Sequence, residues 1–120
     1  MDYPDGLRYD EKYSWVRKEG DAYEVGITKA SAEEGDEFVF IQLPEVGKKL
    51  SKGGTYVSVE SSKSSGHIPS PLSGTVVEVN EALFDDPSLI NHDPYGSWIM
   101  RIEAEASDYE SLLRADERRG

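Results

Sequence analysis

Residues 55–68, TYVSVESSKSSGHI, contain two short β-prone runs separated by a serine-rich turn. Residues 55–60 and 64–68 are predicted to be strands, and the breaker cluster PSPLSG at 69–74 ends the second. The pattern predicts a hairpin with Lys63 at its tip, flanked by small side chains that do not crowd it. An enzyme could reach such an ε-amine and attach a group to it. A solvated lysine without a function is the plainer interpretation of the same pattern.

Further short strands are predicted on both sides of this hairpin. Alternating or continuous apolar runs predict them at 13–17, 22–28, 37–43, 74–79 and 98–103. The run 37–43 is almost entirely apolar, which predicts burial on both of its faces. Many short strands with frequent turns favour a mainly β fold, a small sandwich or barrel. A chain of 120 residues fits one domain, here 1–120.

Capping signals predict short helical segments between and after the strands. Residues 31–34, SAEE, form a capping box that predicts one helical turn. Asp86 followed by Pro87 predicts a helix start with proline at its first position. Residues 107–110, SDYE, form a second capping box, so 104–120 are predicted to be a C-terminal helix and tail.

The chain also contains a faint internal repeat. Residues 38–60 run strand, loop with proline and glycine, strand and acidic residue, and residues 75–103 follow the same order. Lys63 lies between the two copies. Two half-sheets related by a pseudo-two-fold axis would place the linking turn at one extremity of the molecule.

The composition restricts the classes of partner. The net charge is -11, with 24 acidic and 13 basic residues, and such a surface repels phosphate backbones and anionic lipid. We therefore expect no nucleic acid and no membrane partner. Basic patches on larger proteins would be attracted, although solubility alone also explains the charge. The N-terminus resembles no signal peptide and no apolar run reaches membrane length, so a prokaryotic cytoplasm is expected.

No side-chain pattern of an autonomous enzyme is present. The chain has no cysteine, so any redox chemistry would require an attached or bound group. No order of serine, histidine and aspartate, no phosphate loop and no carboxylate pair stands out, so no catalytic residue is predicted. The spacing of His92-Asp93 and Asp85-Asp86 matches no strong ligand pattern, and no metal site is predicted.

Several sequence blocks, in the right order, resemble the H-protein family of the glycine cleavage system. These blocks are LRY at 7–9, GIT at 26–28, VFIQLPEVG at 39–47, VESSK at 59–63, SPLSGTVVEVNEAL at 70–83 and DPYG at 93–96. The resemblance covers nearly the whole chain. It implies a barrel-sandwich hybrid of two small sheets, with lipoate attached to Lys63 by an amide. Glu60, Ser62 and Ser64 would then be the residues by which the hairpin is recognised.

The resemblance also implies a function and its partners. A lipoate ligase or an octanoyl or lipoyl transferase would attach the cofactor. The arm, reaching about 14 Å from the lysine Cα by bond-length counting, would then visit glycine decarboxylase, aminomethyltransferase and dihydrolipoamide dehydrogenase. The protein would be a non-catalytic carrier of the aminomethyl group, and a monomer, because a shuttle must leave each partner.

The chain departs from the family pattern at the residues expected to line the groove for the arm. Ser14 replaces a usual glutamate, Glu34 a frequent histidine and His67 a usual aspartate, and the loop at 95–98 is one residue shorter. Drift within the family explains these changes. A changed cargo does so too, as in H-like lipoate-binding proteins that serve sulfur oxidation with a heterodisulfide-reductase-like complex. The glycine cleavage role is favoured because that family is larger.

Two further alternatives concern the attached group. A biotin carrier shares the architecture, but biotinyl lysines usually lie between methionines, whereas serines flank Lys63. An interaction module that kept the fold and lost the modification is the other alternative.

Overall fold

The computed structural model describes residues 3–119, and the elements in this range are mainly short β-strands. The strands are β1 Arg8–Tyr9, β2 Ser14–Glu19, β3 Ala22–Ile27, β4 Phe38–Gln42, β5 Lys49–Leu50, β6 Thr55–Ser61, β7 Ser65–Pro69, β8 Gly74–Val79, β9 Met100–Ala104 and β10 Leu113–Arg114. The helices are α1 Lys29–Ala32, α2 Ala82–Asp85, α3 Leu89–His92, α4 Ala106–Glu110 and α5 Ala115–Arg119. None of these helices is long and apolar enough to span a membrane.

The strands form two antiparallel sheets. The larger has seven strands in the order β10-β1-β2-β3-β9-β8-β5, and the smaller has three in the order β4-β6-β7. Buried side chains of both sheets meet in one core, with Val25 and Ile102 from the larger sheet and Ile41, Val57 and Val59 from the smaller. The expected mainly β fold of two small sheets is confirmed.

The three-stranded sheet carries the predicted lysine hairpin. β6 is its central strand and pairs with β4 on one side and β7 on the other. Residues 62–64 form the turn between β6 and β7. Tyr56, Val57 and Val59 of β6 are buried in the core, so the hairpin is fixed along its length while its tip projects.

Two predicted helices differ from the structure. α1 begins at Lys29 and not at residue 31, because Thr28 is the N-cap and its Oγ1 accepts a hydrogen bond from the Ser31 amide at 3.3 Å. The predicted single C-terminal helix is wrong. α4 ends at Glu110, β10 follows and pairs with β1, and α5 begins immediately afterwards. Ladder hydrogen bonds to a distant strand therefore override the local helix signal.

The region around Asp86 and the burial of β4 also differ from expectation. The carboxylate of Asp86 accepts hydrogen bonds from the amide and hydroxyl of Ser88, at 3.2 and 2.5 Å, and α3 begins only at Leu89. The predicted burial of β4 on both faces is wrong, because Val39 and Phe40 are exposed to solvent.

Candidate functional site

A serine hydroxyl shapes the turn between β6 and β7. The Ser61 amide donates to the Ser64 carbonyl at 2.8 Å and closes the turn. The Ser61 Oγ accepts hydrogen bonds from the amides of Lys63 and Ser64, at 3.4 and 3.2 Å. Serine side chains stabilise turns in this way because the hydroxyl replaces a backbone acceptor. The serine-rich sequence thus makes a tight turn with no bulky neighbour for Lys63.

The side chain of Lys63 is exposed at the tip of this hairpin. Its Nζ takes part in no hydrogen bond or ion pair with any residue between 3 and 119. The amine is therefore accessible to a modifying enzyme without the loss of an existing contact. Its modification stays a prediction.

A groove of about 350 Å³ lies beside the hairpin, within the size range of small-molecule clefts, about 300–1,000 Å³. Its walls combine carboxylates, hydroxyls and apolar side chains. The lining residues are Tyr13, Ile27, Ser31, Glu34, Gly35, Asp36, Phe38, Val59, Ser61, Ser64, Ser65, Gly66, His67 and Ile68. An apolar chain with a polar end fits such a lining.

Two of the three predicted groove residues, Glu34 and His67, are among the residues that line the groove. The imidazole Nδ1 of His67 is 2.8 Å from the Ser58 Oγ. Ser58 and His67 are paired across β6 and β7, so this hydrogen bond lies on the outer face of the sheet, opposite the face on which Val59 is buried. The imidazole is therefore oriented away from the core side of the hairpin.

The prediction that Ser14 lines the groove is wrong. Ser14 is fully buried, and its Oγ lies 3.0 Å from the hydroxyl of Tyr56. Burial raises the pKa of the Tyr56 phenol, and the hydrogen bond to Ser14 opposes this shift only in part. A carboxylate at position 14 would meet a neutral phenol in a closed site, so a small hydroxyl suits the environment better.

Asp36 also lines the groove, although no sequence pattern predicted it to be a site residue. The hydroxyl of Ser62 donates to its Oδ2 at 3.2 Å. Because Phe38 pairs with Ser61, an acidic residue two positions before Phe38 has to lie near the lysine turn. That strand register is the signal that could have identified Asp36.

The three residues predicted for recognition lie around the turn. Glu60 is exposed near the end of β6 and is paired with Phe40 on one side and Ser65 on the other. Ser62 contacts Asp36, and the Ser64 carbonyl closes the turn. Glu60 alone has a side chain that no contact within the described range holds.

No group of three or more histidine or acidic residues within 3–119 could bind a metal ion.

Comparisons with known proteins agree on one family. The family model described as glycine cleavage H-protein matches residues 7–119. A glycine cleavage system H protein of Thermoanaerobacter sp. (strain X514) is 42% identical over 118 residues, which covers 98% of this chain and 94% of that protein. The protein of the same name from Bacillus cytotoxicus is 43% identical over 118 residues, covering 97% of this chain and 93% of the relative.

A solved structure supports the same assignment. The crystal structure of a glycine cleavage system H protein from Mycobacterium marinum has a TM-score of 0.86 and 37% sequence identity. The match covers 96% of this chain and 94% of that one. These relatives give no support to the alternative in sulfur oxidation.

Proposed function

The chain belongs to the glycine cleavage H-protein family, and from this premise we propose that it is the lipoyl carrier of that system, with lipoate joined to Lys63 by an amide. The observation that carries the proposal is the exposed Lys63 at a hairpin tip, whose amine has no partner among residues 3–119. Lysine 63 also stands in the VESSK block that resembles the family.

The residues present fit a covalently attached cofactor. The polypeptide has no cysteine, so it has no sulfur chemistry of its own beyond methionine, and the lipoyl group would supply a dithiolane that can be reduced and can carry a one-carbon amine. The amide bond would remove the charge of Lys63 and change the net charge from -11 to -12. The adjacent groove, with Ile27, Val59 and Ile68 in its lining, could shelter an apolar arm from water.

The carboxylates of Glu34 and Asp36 make this groove favourable to a cationic cargo. An aminomethyl group is cationic, so the two acids support the role in glycine cleavage. Positions 14 and 67, at which the family usually has acidic residues, hold Ser14 and His67 in this chain. Glu34 and Asp36 supply negative charge to the groove instead. No observation favours a sulfur cargo.

The proposed partners follow from the carrier role. A lipoate ligase or an octanoyl or lipoyl transferase would modify the apo-protein. Glycine decarboxylase, aminomethyltransferase and dihydrolipoamide dehydrogenase would then use the arm, while the carrier has no turnover of its own. The carrier is proposed to be a single-domain monomer, because a shuttle must leave each partner, and to act in a prokaryotic cytoplasm.

Intact-mass measurement tests the attachment. The apo-protein is incubated with a purified lipoate ligase, lipoate and ATP, and we expect a gain of one lipoyl group. Lys63→Arg should gain nothing. Lys52→Arg, a change of the same chemistry at an exposed lysine in another turn, should be modified like the wild type. An unchanged wild-type mass, with a ligase that modifies a reference lipoyl domain, contradicts the proposal.

A further inference from the structure

A β-bulge exposes two consecutive apolar side chains beside the lysine turn. Phe38 pairs with Ser61 and Phe40 with Glu60, so β4 advances two residues while β6 advances one. Consecutive side chains of a regular strand point to opposite faces. In a regular β4, either Val39 or Phe40 would therefore face the core. Here Val39 is 65% exposed and Phe40 51% exposed. The extra residue of the bulge thus turns both outward.

A third exposed apolar side chain lies on the neighbouring helix. α2 packs against β4, and while its Leu83 is buried, Phe84 is 68% exposed. We call Val39, Phe40 and Phe84 the bulge patch. Scattered apolar residues on a surface are normal, but large ones on adjacent elements mark a site of interaction.

The segments that contain the bulge patch and the lysine turn are rich in acidic residues. The segments 36–42, 58–65 and 81–86 contain Lys63 as their one basic residue, and their acidic residues are Asp36, Glu37, Glu60, Glu81, Asp85 and Asp86. The complementary surface is apolar at its centre and basic at its rim.

The bulge patch is close enough to Lys63 to be covered together with it. In the ladder, the Cα of Phe40 lies about 5 Å from that of Glu60, and three residues from Glu60 to Lys63 span at most about 11 Å. An interface of standard size buries about 800 Å² on each partner, which as a disc has a radius of about 16 Å. A partner centred on Lys63 therefore reaches Phe40.

We propose that the bulge patch is the docking surface for the enzyme that acylates Lys63, and that this enzyme presents an apolar centre with a rim of lysine and arginine. The proposal rests on the proposed function. A bare lysine side chain extends only about 6 Å from its Cα by bond-length counting, so the acylating centre must approach the hairpin itself. Enzymes that receive the lipoyl arm act up to about 14 Å away, and they need not contact β4.

The test is the steady-state kinetics of acylation with a purified lipoate ligase, lipoate and ATP, followed by intact mass. The double variant Val39→Ser and Phe40→Ser should lower kcat/KM at least about ten-fold, mainly by raising KM for the carrier, as expected for loss of an apolar anchor. Val77→Ser is the matched control. Val77 is also an exposed valine at a bulge, but in the larger sheet, and its kcat/KM should stay within about two-fold of the wild type.

The ionic part of the proposal is tested in the same assay. Raising the ionic strength from about 0.01 M to about 0.15 M shortens the Debye length from about 30 to about 8 Å, so KM for the carrier should rise. Glu60→Lys should raise KM further at low ionic strength. If KM for the carrier changes neither with ionic strength nor with Glu60→Lys, the proposed basic rim of the partner is wrong.

The outcomes separate docking from attachment. One outcome is that the wild type is modified while a double variant with unchanged circular dichroism and melting curve has the same kcat/KM as Val77→Ser. In that case the proposed docking surface is wrong and the proposed lipoyl carrier function is retained. If the wild type is not modified, the proposed function itself fails. If the wild type sediments as a dimer and the double variant as a monomer, the bulge patch is the contact surface for a second copy of the chain. That outcome overturns the proposal.

Discussion

The hydroxyl of Ser62 donates a hydrogen bond of 3.2 Å to the Oδ2 of Asp36, and this contact joins the lysine turn to the wall of the adjacent groove. Ser62 directly precedes Lys63, and Asp36 lines the groove together with Glu34. The turn that presents the amine and the acids that could stabilise a cationic cargo are thus parts of one surface.

We expect the two groove acids, Glu34 and Asp36, to speed the loading of the lipoylated arm with the aminomethyl group. The double variant Glu34→Gln and Asp36→Asn removes negative charge from the groove. The lipoylated form should therefore accept label from glycine and glycine decarboxylase more slowly, by roughly three- to ten-fold, since exposed ion pairs contribute up to about 1 kcal/mol. Every form of the protein is first lipoylated to completion at Lys63, as checked by intact mass, because Asp36 is also one of the acidic residues in the segments around the bulge patch. The measurement is transfer of labelled carbon from glycine to the carrier.

Glu81→Gln is the control for this loading experiment, because Glu81 is an exposed acid that does not line the groove. Equal rates for the control and the double variant would exclude a specific role for the groove acids. Complete absence of label in the lipoylated wild type would argue against the aminomethyl cargo.

The buried carboxylate of Glu24 should be a main contributor to stability. Its two oxygens accept hydrogen bonds from Arg17 and Arg101, at 2.6 to 3.0 Å, across adjacent strands of the larger sheet. Breaking a buried ion pair costs about 3–5 kcal/mol, but the two guanidinium groups are about a third exposed, which lowers the expected cost to about 2–3 kcal/mol.

Urea unfolding of Glu24→Gln measures this contribution. Glu78→Gln removes only the exposed partner of Arg101 and should cost less than about 1 kcal/mol. Similar losses in the two variants would show that burial of Glu24 adds nothing to the interaction.

The hairpin and the long strands could be predicted from the sequence because their signals are local. β8 is observed at the predicted residues, 74–79, and the serine-rich turn lies where the break in apolar pattern places it. β1, β5 and β10 were missed, since each has two residues and depends on a distant partner for its hydrogen bonds. A two-residue strand has no periodicity to detect.

The site was predicted less completely than the fold. The exposed position of Lys63 could be predicted from its turn. The burial of Ser14 depends on packing between the sheets, and the proximity of Asp36 to the turn depends on the register of β4 on β6. The exposure of Phe40 depends on one extra residue in a ladder, which no hydrophobicity pattern reveals. Sheet packing for Ser14, and strand register for Asp36 and Phe40, decide these three positions.

The buried pair Ser14 and Tyr56 should make stability sensitive to alkaline pH. Burial raises the pKa of the Tyr56 phenol above its ordinary value of 10.0, so the unfolded state loses this proton first as the pH rises. The contribution of the phenol is complete below pH 10 and is lost progressively above it. Tyr56→Phe has no such proton and should lose less stability between pH 9 and 11, as urea unfolding at the two pH values would show.

At neutral pH the same variant should be destabilised by about 1 kcal/mol, because the Ser14 hydroxyl loses its buried partner. Tyr13→Phe is the control, since Tyr13 is a partly buried tyrosine whose hydroxyl has no hydrogen bond to another described residue. An alkaline profile of Tyr56→Phe identical to that of the wild type would contradict the prediction.

Gly26 should tolerate no larger side chain, because the indole of Trp15 lies against its Cα. A Cβ at position 26 would stand 2.5 Å from the Cζ2 of Trp15, which is fully buried. The ring cannot move freely, since its Nε1 donates to the Pro94 carbonyl at 3.0 Å. We expect Gly26→Ala to cost about 1–3 kcal/mol through overpacking, as measured by urea unfolding.

Gly35→Ala is the matched substitution, because a Cβ at position 35 meets nothing within 4 Å. It should leave the free energy of unfolding unchanged or raise it slightly by restricting the unfolded chain. Tryptophan fluorescence adds a second measure, since Gly26→Ala should shift the emission as the indole is displaced and Gly35→Ala should not. A Gly26→Ala protein as stable as Gly35→Ala, with unshifted emission, would show that the two strands can separate without cost.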